Sequence, residues 1–199
     1  MSRPVLYYLR HGLTDWNAEG RLQGRHDIPL NDRGRAQAAC CAEILQDLLA
    51  RDGRSLNDYA YFSSPLVRAS ETMDLVRAAL GLTRGGYRTD TRLEEIAFGE
   101  WEGLTYREVL TRDKDVVGRR EGNKWHFRPP GGETYDEVAQ RVAAWYATLD
   151  RDTVVTAHGG TARALIAALG VKAPEEAVHY PIDQGVVYVF NGSGVVRYA

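Results

Sequence analysis

Short apolar runs alternate along the chain with longer stretches of helical periodicity. Residues 5–9 are rich in β-forming side chains and end at Arg10-His11-Gly12. Residues 59–62 and Thr153–Ala157 are two further short runs, closed by Ser63-Ser64-Pro65 and by His158-Gly159-Gly160. Apolar runs of this length between turn residues are typical of buried strands. The chain therefore has three clear central strands, two of which end in a histidine followed by glycine.

Helical periodicity fills the intervals between these strands. One face of the first long helix is expected to carry Ala36, Ala39, Cys40, Ile44 and Leu48, and one face of a later helix Val138, Val142 and Trp145. Helices are predicted over 32–49, 66–80, Tyr106–Arg112, 135–149 and 161–169.

The alternation of strands and helices predicts an α/β fold, a three-layer α/β/α sandwich with a mostly parallel central sheet. Residues 185–190 and Val195–Tyr198 flank Asn191-Gly192-Ser193-Gly194, which predicts a C-terminal hairpin. The glycine-rich, less regular residues 96–130 are interpreted as a small lid or excursion. We expect one domain over residues 1–199, an ordinary size for a single core.

Composition narrows the function classes. The formal net charge of −2 provides no global basic field, so neither nucleic acid nor an anionic membrane is expected as a partner. No apolar run reaches the length of a membrane span, and the first residues lack the pattern of a signal peptide. Cys40 and Cys41 are adjacent on a helix and are expected to be reduced and buried. These features favour the cytoplasm.

The residues at the strand ends suggest phosphate chemistry. Arg10 precedes His11, and Arg68 follows Ser63-Ser64-Pro65 at the start of a helix. Arginine can bind a phosphate group through two parallel hydrogen bonds, and a neutral histidine can attack phosphorus. The attacking ring needs its other nitrogen fixed by an acceptor, for which the Gly12 carbonyl is the candidate.

Five segments resemble the histidine phosphatase superfamily, in its phosphoglycerate-mutase-like branch. They occur in the order of that family and cover nearly the whole chain. The segments are Leu9-Arg10-His11-Gly12-Leu13-Thr14-Asp15-Trp16-Asn17, Arg21-Leu22-Gln23-Gly24-Arg25-His26-Asp27-Ile28-Pro29-Leu30, Ser63-Ser64-Pro65-Leu66-Val67-Arg68-Ala69-Ser70-Glu71-Thr72, Leu93-Glu94-Glu95-Ile96-Ala97-Phe98-Gly99-Glu100-Trp101-Glu102-Gly103 and Ala157-His158-Gly159-Gly160.

The resemblance implies a role for each matching residue. His11 corresponds to the phosphorylated nucleophile, and Glu95, preferred over Glu94 for its spacing to Gly99, to the general acid. The implied catalytic set is His11, Glu95, His158, Arg10 and Arg68. The implied substrate-binding set is Asn17, Gln23, Gly24, Thr14 and Gly159.

Other candidates carry less weight. His26, His126 and His179 lack a comparable context and are expected at the surface or the rim of the site, while Ser64 either contacts the site or caps the following helix. Short-spaced ligand pairs are missing from the sequence, and arginines repel cations, so we expect neither a metal nor a cofactor.

The resemblance covers both phosphatases and mutases. Mutases of the family carry Arg-His-Tyr-Gly after the general acid, where this chain has Ile96-Ala97-Phe98-Gly99, and Trp where it has Arg25. Arg119-Arg120 does not fit the spacing of the basic residues that hold a mutase's second anion. Pro129-Pro130-Gly131-Gly132-Glu133-Thr134 resembles a segment of phosphatase members, among them those acting on α-ribazole phosphate.

The prediction is therefore a histidine acid-type phosphatase, a phosphoric monoester hydrolase that forms a phosphohistidine and takes a small phosphorylated metabolite. A cofactor-dependent phosphoglycerate mutase is the alternative, and a non-catalytic domain that binds phosphorylated ligands is the second. The expected partner is a small-molecule phosphate monoester, and a homodimer stays open.

Overall fold

Residues 3–192 and 194–199 are described by a computed structural model, so Met1, Ser2 and Ser193 of the predicted hairpin turn lie outside the described part. One six-stranded sheet forms the centre of the structure. Its strands are β1 Leu6–Arg10, β2 Ala60–Ser63, β3 Arg88–Thr89, β4 Thr153–Ala157, β5 Val187–Phe190 and β6 Val195–Tyr198.

The strand order is β3-β2-β4-β1-β5-β6. Strands β3, β2, β4 and β1 pair in parallel, whereas β5 runs antiparallel to β1 and forms a hairpin with β6. The mostly parallel sheet and the C-terminal hairpin are both confirmed. Because β1 and β4 are parallel neighbours, the two strands that end in histidine bring their carboxyl ends to the same edge.

Helices cover both faces of the sheet. Their bounds are α1 Asp15–Ala18, α2 Asp32–Arg51, α3 Val67–Ala79, α4 Tyr106–Arg112, α5 Lys114–Gly122, α6 Tyr135–Tyr146, α7 Gly159–Ala168 and α8 Pro174–Ala177. Side chains of β1 alternate between two cores. Leu6 and Tyr8 pack with α6 and α7, while Tyr7 and Leu9 pack with α2 and α3. The three-layer α/β/α sandwich is confirmed.

The predicted inner face of α2 is wrong. Ala36, Ala39 and Cys40 are exposed and Ile44 is only partly buried, whereas the buried face is built from Ala38, Cys41, Ala42, Leu45, Leu48 and Leu49. Alanines bury little apolar area, so the three large leucines decide which face turns inward. The pair of cysteines divides accordingly, with Cys41 buried and Cys40 exposed.

The excursion has a small core of its own. Trp101, Val109 and Val117 are buried there, and Phe127 stacks on the Trp101 ring at 5.5 Å between ring centroids. Helix α4 begins and ends as predicted, whereas the charged helix α5 was not predicted. No helix among the described residues is long and apolar enough to cross a membrane.

Candidate active site

The two histidines at the strand ends lie side by side. The His11 amide donates to the Ala157 carbonyl at 2.9 Å, which extends the pairing of β1 and β4 by one residue. The imidazole rings of His11 and His158 are 5.1 Å apart between centroids. Both side chains are buried. The sheet therefore places both predicted histidines at one point, although 147 positions of sequence separate them.

The backbone fixes the orientation of the His11 ring. Nδ1 lies 2.7 Å from the Gly12 carbonyl oxygen, as predicted. Since a carbonyl only accepts, the proton lies on Nδ1 and Nε2 keeps its lone pair. Burial, then the charges of Arg68 and Arg10, hold the pKa of His11 well below its ordinary value of 6.5. The ring is therefore neutral at pH 7 and has a free nitrogen.

Gly12 is held against the start of α2. Its amide donates to Thr72 Oγ1 at 3.1 Å, and a Cβ at Gly12 would collide with the backbone of Gly34. This packing keeps the carbonyl that binds His11 in place. The glycine at this position is required by close approach of two backbones rather than by a left-handed conformation.

His158 is anchored by two hydroxyl groups. Its Nε2 lies 2.8 Å from Ser64 Oγ, and its backbone amide donates to the Tyr8 hydroxyl oxygen at 3.0 Å. Ser64 Oγ also accepts from the Leu66 amide just before α3, but α3 has no side-chain cap, so of the two predicted alternatives Ser64 takes the contact with the site. Burial, then the charges of Arg68, His11 and Arg10, lowers the pKa of His158 well below 6.5.

The two predicted arginines are buried beside these rings. Arg10 donates from Nη1 to the Ile182 carbonyl at 2.7 Å. Arg68 donates to the carbonyls of His26 and Gly24 at 2.7 and 2.8 Å. Three buried nitrogens at the site, Arg10 Nε, Arg68 Nε and His158 Nδ1, have no hydrogen-bond partner among the described residues. An unsatisfied buried donor costs about 1–3 kcal/mol, so the site is suited to an oxygen-rich anion.

Glu95 is held at the start of α7. Its carboxylate accepts from the amides of Gly160 and Thr161 at 3.2 and 3.3 Å, and from its neighbour Ile96 at 2.9 Å. The side chain lines the same cavity as His11. Glu94 instead pairs with the half-exposed Arg25 at 3.3 Å, so the structure brings the preferred glutamate to the site.

A cavity of about 250 Å³ joins these groups. Sites for small molecules are typically about 300–1,000 Å³, so this one suits a phosphate group with a small leaving group. The predicted residues that line the cavity are Arg10, His11, Asn17, Gln23, Gly24, Arg68, Glu95 and Gly159.

Two predicted site residues, Thr14 and His158, do not line the cavity itself. Thr14 caps α1 and donates to Gln23 Oε1 at 2.9 Å, so it supports a cavity residue. His158 reaches the site through its ring beside His11.

Asn17 receives hydrogen bonds on its amide oxygen from the Thr14 amide and from Gln184 Nε2. Its amide nitrogen is the group left to donate.

The sequence model of the histidine phosphatase superfamily, branch 1, matches residues 6–194. The match spans β1 to the residue before β6 and includes all five segments described above. The chain belongs to the histidine phosphatase superfamily.

Relatives of this superfamily member include both phosphatases and mutases. Glucosyl-3-phosphoglycerate phosphatase of Mycobacterium tuberculosis is 38% identical over 82% of this chain and 74% of its own. A 2,3-bisphosphoglycerate-dependent phosphoglycerate mutase of Gloeobacter violaceus is 29% identical over 94% and 85%. The α-ribazole phosphatase structure from Shigella flexneri superposes with a TM-score of 0.79 at 27% identity, covering 96% and 93%.

Sequence reasoning missed Arg163. This residue of α7 lines the cavity and donates from Nε to the Tyr180 carbonyl at 2.9 Å. It follows His158 by five residues and Gly159 by four, so one helical turn brings it onto the face of Gly159. That spacing was the signal available in the sequence of this histidine phosphatase.

The pair Glu133 and Arg141 was also missed. Arg141 donates to Glu133 at 3.2 Å and to the carbonyls of Arg92 and Glu95 at 2.7 and 3.2 Å. Glu133 also accepts from the Ala97 amide at 2.9 Å. The pair therefore holds both sides of the loop that carries Glu95. Glu133 belongs to the Pro-Pro-Gly-Gly-Glu-Thr segment, which had no assigned role.

The remaining histidines lie outside the centre of the site. His26, His126 and His179 are exposed, and His26 lies 3.5 Å from Glu102. Within residues 3–192 and 194–199, no three metal-ligating side chains are grouped as a metal site.

Proposed function

We propose that this histidine phosphatase hydrolyses a small phosphate monoester without a metal ion, in two steps through a phosphohistidine on His11. The observation that carries the proposal is that three buried nitrogens without a partner, Arg10 Nε, Arg68 Nε and His158 Nδ1, belong to side chains that share the cavity or the ring contact of His11, whose Nε2 is free. A phosphoryl group offers three oxygens, which match three donors. The guanidinium groups supply the positive charge that a metal provides in other phosphatases.

In the first step, His11 Nε2 attacks phosphorus and an N–P bond forms. The bond from phosphorus to the ester oxygen breaks, and protonated Glu95 gives its proton to that oxygen, so that an alcohol leaves. Nδ1 keeps its proton and donates it in a hydrogen bond to the Gly12 carbonyl, and this bond stabilises the positive charge that develops on the ring.

His158 acts as a hydrogen-bond donor in this scheme. The Ser64 hydroxyl accepts from Leu66 and directs its own proton to His158 Nε2. The neutral ring then carries its proton on Nδ1, which donates to a phosphoryl oxygen. Asn17, through its amide nitrogen, is a further donor.

In the second step, water attacks the phosphohistidine. The Glu95 carboxylate takes a proton from the water, an O–P bond forms, and the N–P bond breaks. Inorganic phosphate leaves, His11 returns to its neutral form, and Glu95 is protonated again. One carboxyl group serves as acid and then as base, so the cycle closes without a further proton donor.

The acid-type assignment rests on the low pKa of His11. A neutral nucleophile is kept as the pH falls through 6.5, because burial and two arginines oppose protonation. We therefore propose that activity persists in mildly acidic solution. The cytoplasmic location and the homodimer remain predictions.

Residues around the site differ from those of the family's mutases, and these differences favour hydrolysis over mutase chemistry. Ile96-Ala97-Phe98-Gly99 and Arg25 replace the mutase residues, and Arg25 is half-exposed, bridging Glu94 and Glu133. The phosphatase relatives are 38% identical to this chain, whereas the mutase relatives are 28–32% identical. The mutase is retained as the alternative because it too would use the phosphohistidine.

Turnover of p-nitrophenyl phosphate with a chelator present tests the proposal. We expect full activity in chelator and release of inorganic phosphate. Loss of activity in chelator would contradict the metal-free mechanism. Interconversion of 3- and 2-phosphoglycerate without net phosphate release would favour the mutase, and tight phosphate binding with neither activity would favour the binding domain.

A further inference from the structure

Glu102 does not line the cavity, but its carboxylate contacts two of the segments that do. Only 12% of its side chain is exposed. Its Oε1 accepts from two backbone amides, that of Phe98 at 3.0 Å and that of Arg25 at 3.2 Å. Phe98 lines the cavity, and so does Gly24, the residue before Arg25. One carboxylate oxygen therefore joins two sides of the cavity.

The peptide unit between Gly24 and Arg25 is hydrogen-bonded at both ends. Its N–H, on Arg25, donates to Glu102, and its carbonyl oxygen, on Gly24, accepts from Arg68 Nη2 at 2.8 Å. A trans peptide is planar, so its N–H and C=O point in opposite directions from one rigid unit. Glu102 thus holds the peptide plane that presents the carbonyl to Arg68. Hydrogen bonds in such a series also strengthen one another.

The direction of the Arg68 guanidinium group depends on this turn. Its Nη2 binds the Gly24 carbonyl, and its Nη1 donates to the His26 carbonyl at 2.7 Å. Because the guanidinium group is planar and rigid, these two contacts also fix the direction of Nε. Arg68 Nε is one of the three buried nitrogens that have no partner among the described residues. A displacement of the turn would therefore displace a donor of the proposed phosphate pocket.

The backbone at Gly24 is shaped for its contact with Glu102. Gly24 has φ of +51°, in the left-handed region that favours glycine. A Cβ at this position would also collide with the Glu102 carboxylate. The carboxylate consequently packs directly against the main chain of the turn.

The charge of Glu102 has only a small effect on Arg68. Burial lowers the pKa of Arg68, and the charges of Glu95, Asp27 and Glu102 act in the opposite direction. Glu102 has the smallest effect of these three carboxylates. The hydrogen bond to the Arg25 amide, rather than the charge, is therefore the main link from Glu102 to Arg68.

We propose that Glu102 is a positioning residue for phosphate binding, which orients Arg68 through the peptide unit between Gly24 and Arg25. The inference rests on the proposed function and adds a residue that supports the phosphate pocket. Glu95 transfers a proton to the leaving group in that scheme, whereas Glu102 acts on the pocket that all phosphate esters share.

Titration with inorganic phosphate tests this role independently of turnover. In Glu102→Ala we expect the Kd for phosphate to rise about 10-fold, because Arg68 loses the support of one hydrogen bond to a charged group. Glu102→Gln keeps an acceptor oxygen and should stay within about 3-fold of the wild type. Glu102→Asp keeps the charge, but its shorter side chain withdraws the oxygen from both amides. Its phosphate Kd should rise about as much as in Glu102→Ala.

Two further readouts separate a positioning role from a general loss of structure. In Glu102→Ala, KM for p-nitrophenyl phosphate and for an alkyl phosphate should rise by the same factor with little change in kcat, because both esters use one phosphate pocket. In an Arg68→Gln background, adding Glu102→Ala should change the phosphate Kd less than about 2-fold, since Arg68 transmits the effect.

Glu100→Ala is the matched control, because it removes an exposed carboxylate from the turn just before Glu102. That variant should bind phosphate like the wild type. An unchanged phosphate Kd in Glu102→Ala would overturn the inference and leave the phosphatase intact. A rise that Glu102→Gln or Glu100→Ala shares fully, or that persists in the Arg68→Gln background, would also overturn it.

The remaining outcomes are equally decisive. If Glu102→Ala fails to fold, equal phosphate Kd values in Glu102→Asp and Glu102→Gln would overturn the inference. If the wild-type protein binds phosphate and Glu102→Ala weakens that binding, but no ester is hydrolysed, the proposed hydrolysis is rejected and the positioning role of Glu102 is supported.

Discussion

Arg141 Nη2 lies 3.2 Å from the backbone carbonyl oxygen of Glu95. The same guanidinium group binds the Arg92 carbonyl and the Glu133 carboxylate, so one side chain of α6 fixes the loop in front of α7. Both members of the ion pair are largely covered, with side-chain exposures of 16% and 18%. Glu95 thus takes its position from a largely covered ion pair that does not itself line the cavity.

Arg141→Gln should impair proton transfer more than substrate binding. We expect kcat for an alkyl phosphate to fall about 10-fold or more, since small displacements of a catalytic group are costly, while KM changes little. The loss should be smaller for p-nitrophenyl phosphate, whose leaving group needs no proton. Steady-state kinetics on both esters measures this split.

The exposed Arg151, which pairs with its neighbour Asp150, provides the matched control Arg151→Gln. That variant should retain wild-type kinetics. A positioning role for Arg141 would be refuted by equal losses on the two esters, because a general loss of structure affects both alike.

Glu95→Gln tests the general acid directly. The amide cannot give a proton to the leaving oxygen, so turnover of alkyl phosphates should fall about 10²-fold or more. Turnover of p-nitrophenyl phosphate should fall less in the first step. Glu94→Gln is the control, because its carboxylate faces Arg25 instead of the cavity. If Glu94→Gln shows the larger defect, the acid has been assigned to the wrong glutamate.

The pKa values of the paired histidines should lie below 6.5 in the free protein. Burial and the arginine charges favour the neutral rings, so in the folded protein each ring binds its second proton only at a lower pH. In the unfolded chain these rings take up protons at a higher pH. The free energy of unfolding should consequently decrease as the pH falls below about 6.5, by up to about 1.4 kcal/mol per pH unit for each histidine.

Imidazole NMR titration measures this directly, with the resonances assigned from His11→Asn and His158→Asn. Midpoints at or above 6.5 for both rings would show that the site does not keep its nucleophile neutral. Such a result would remove the basis for activity in mildly acidic solution.

Much of the site was predictable because its two histidines directly follow the carboxyl ends of strands. His11 and His158 each follow a short apolar run, and neighbouring parallel strands bring such positions together. The contact from His11 Nδ1 to Gly12 is local, so the sequence order alone indicated it. Glu95 was distinguished from Glu94 by the family resemblance and then by the direction in which each side chain points.

The remaining features depend on contacts that leave no local pattern. Arg141 and Glu133 meet Glu95 from another segment, and nothing in their spacing indicates that loop. The charged helix α5 lacks a clear apolar periodicity, and only Val117 is buried in it. In α2, alternating small residues made two faces look equally apolar, and the packing of Leu45 and Leu49 against the sheet chose between them.

Phosphoryl transfer to His11 is the central claim, and trapping the intermediate tests it most directly. The wild-type chain is mixed with a labelled phosphate monoester, quenched rapidly, and its label is tested for acid lability and located in the sequence. We expect acid-labile label on His11, its absence in His11→Ala, and its retention in His126→Ala, which alters an exposed histidine. Acid-labile label that persists in His11→Ala, or turnover without any labelled chain, would contradict the account.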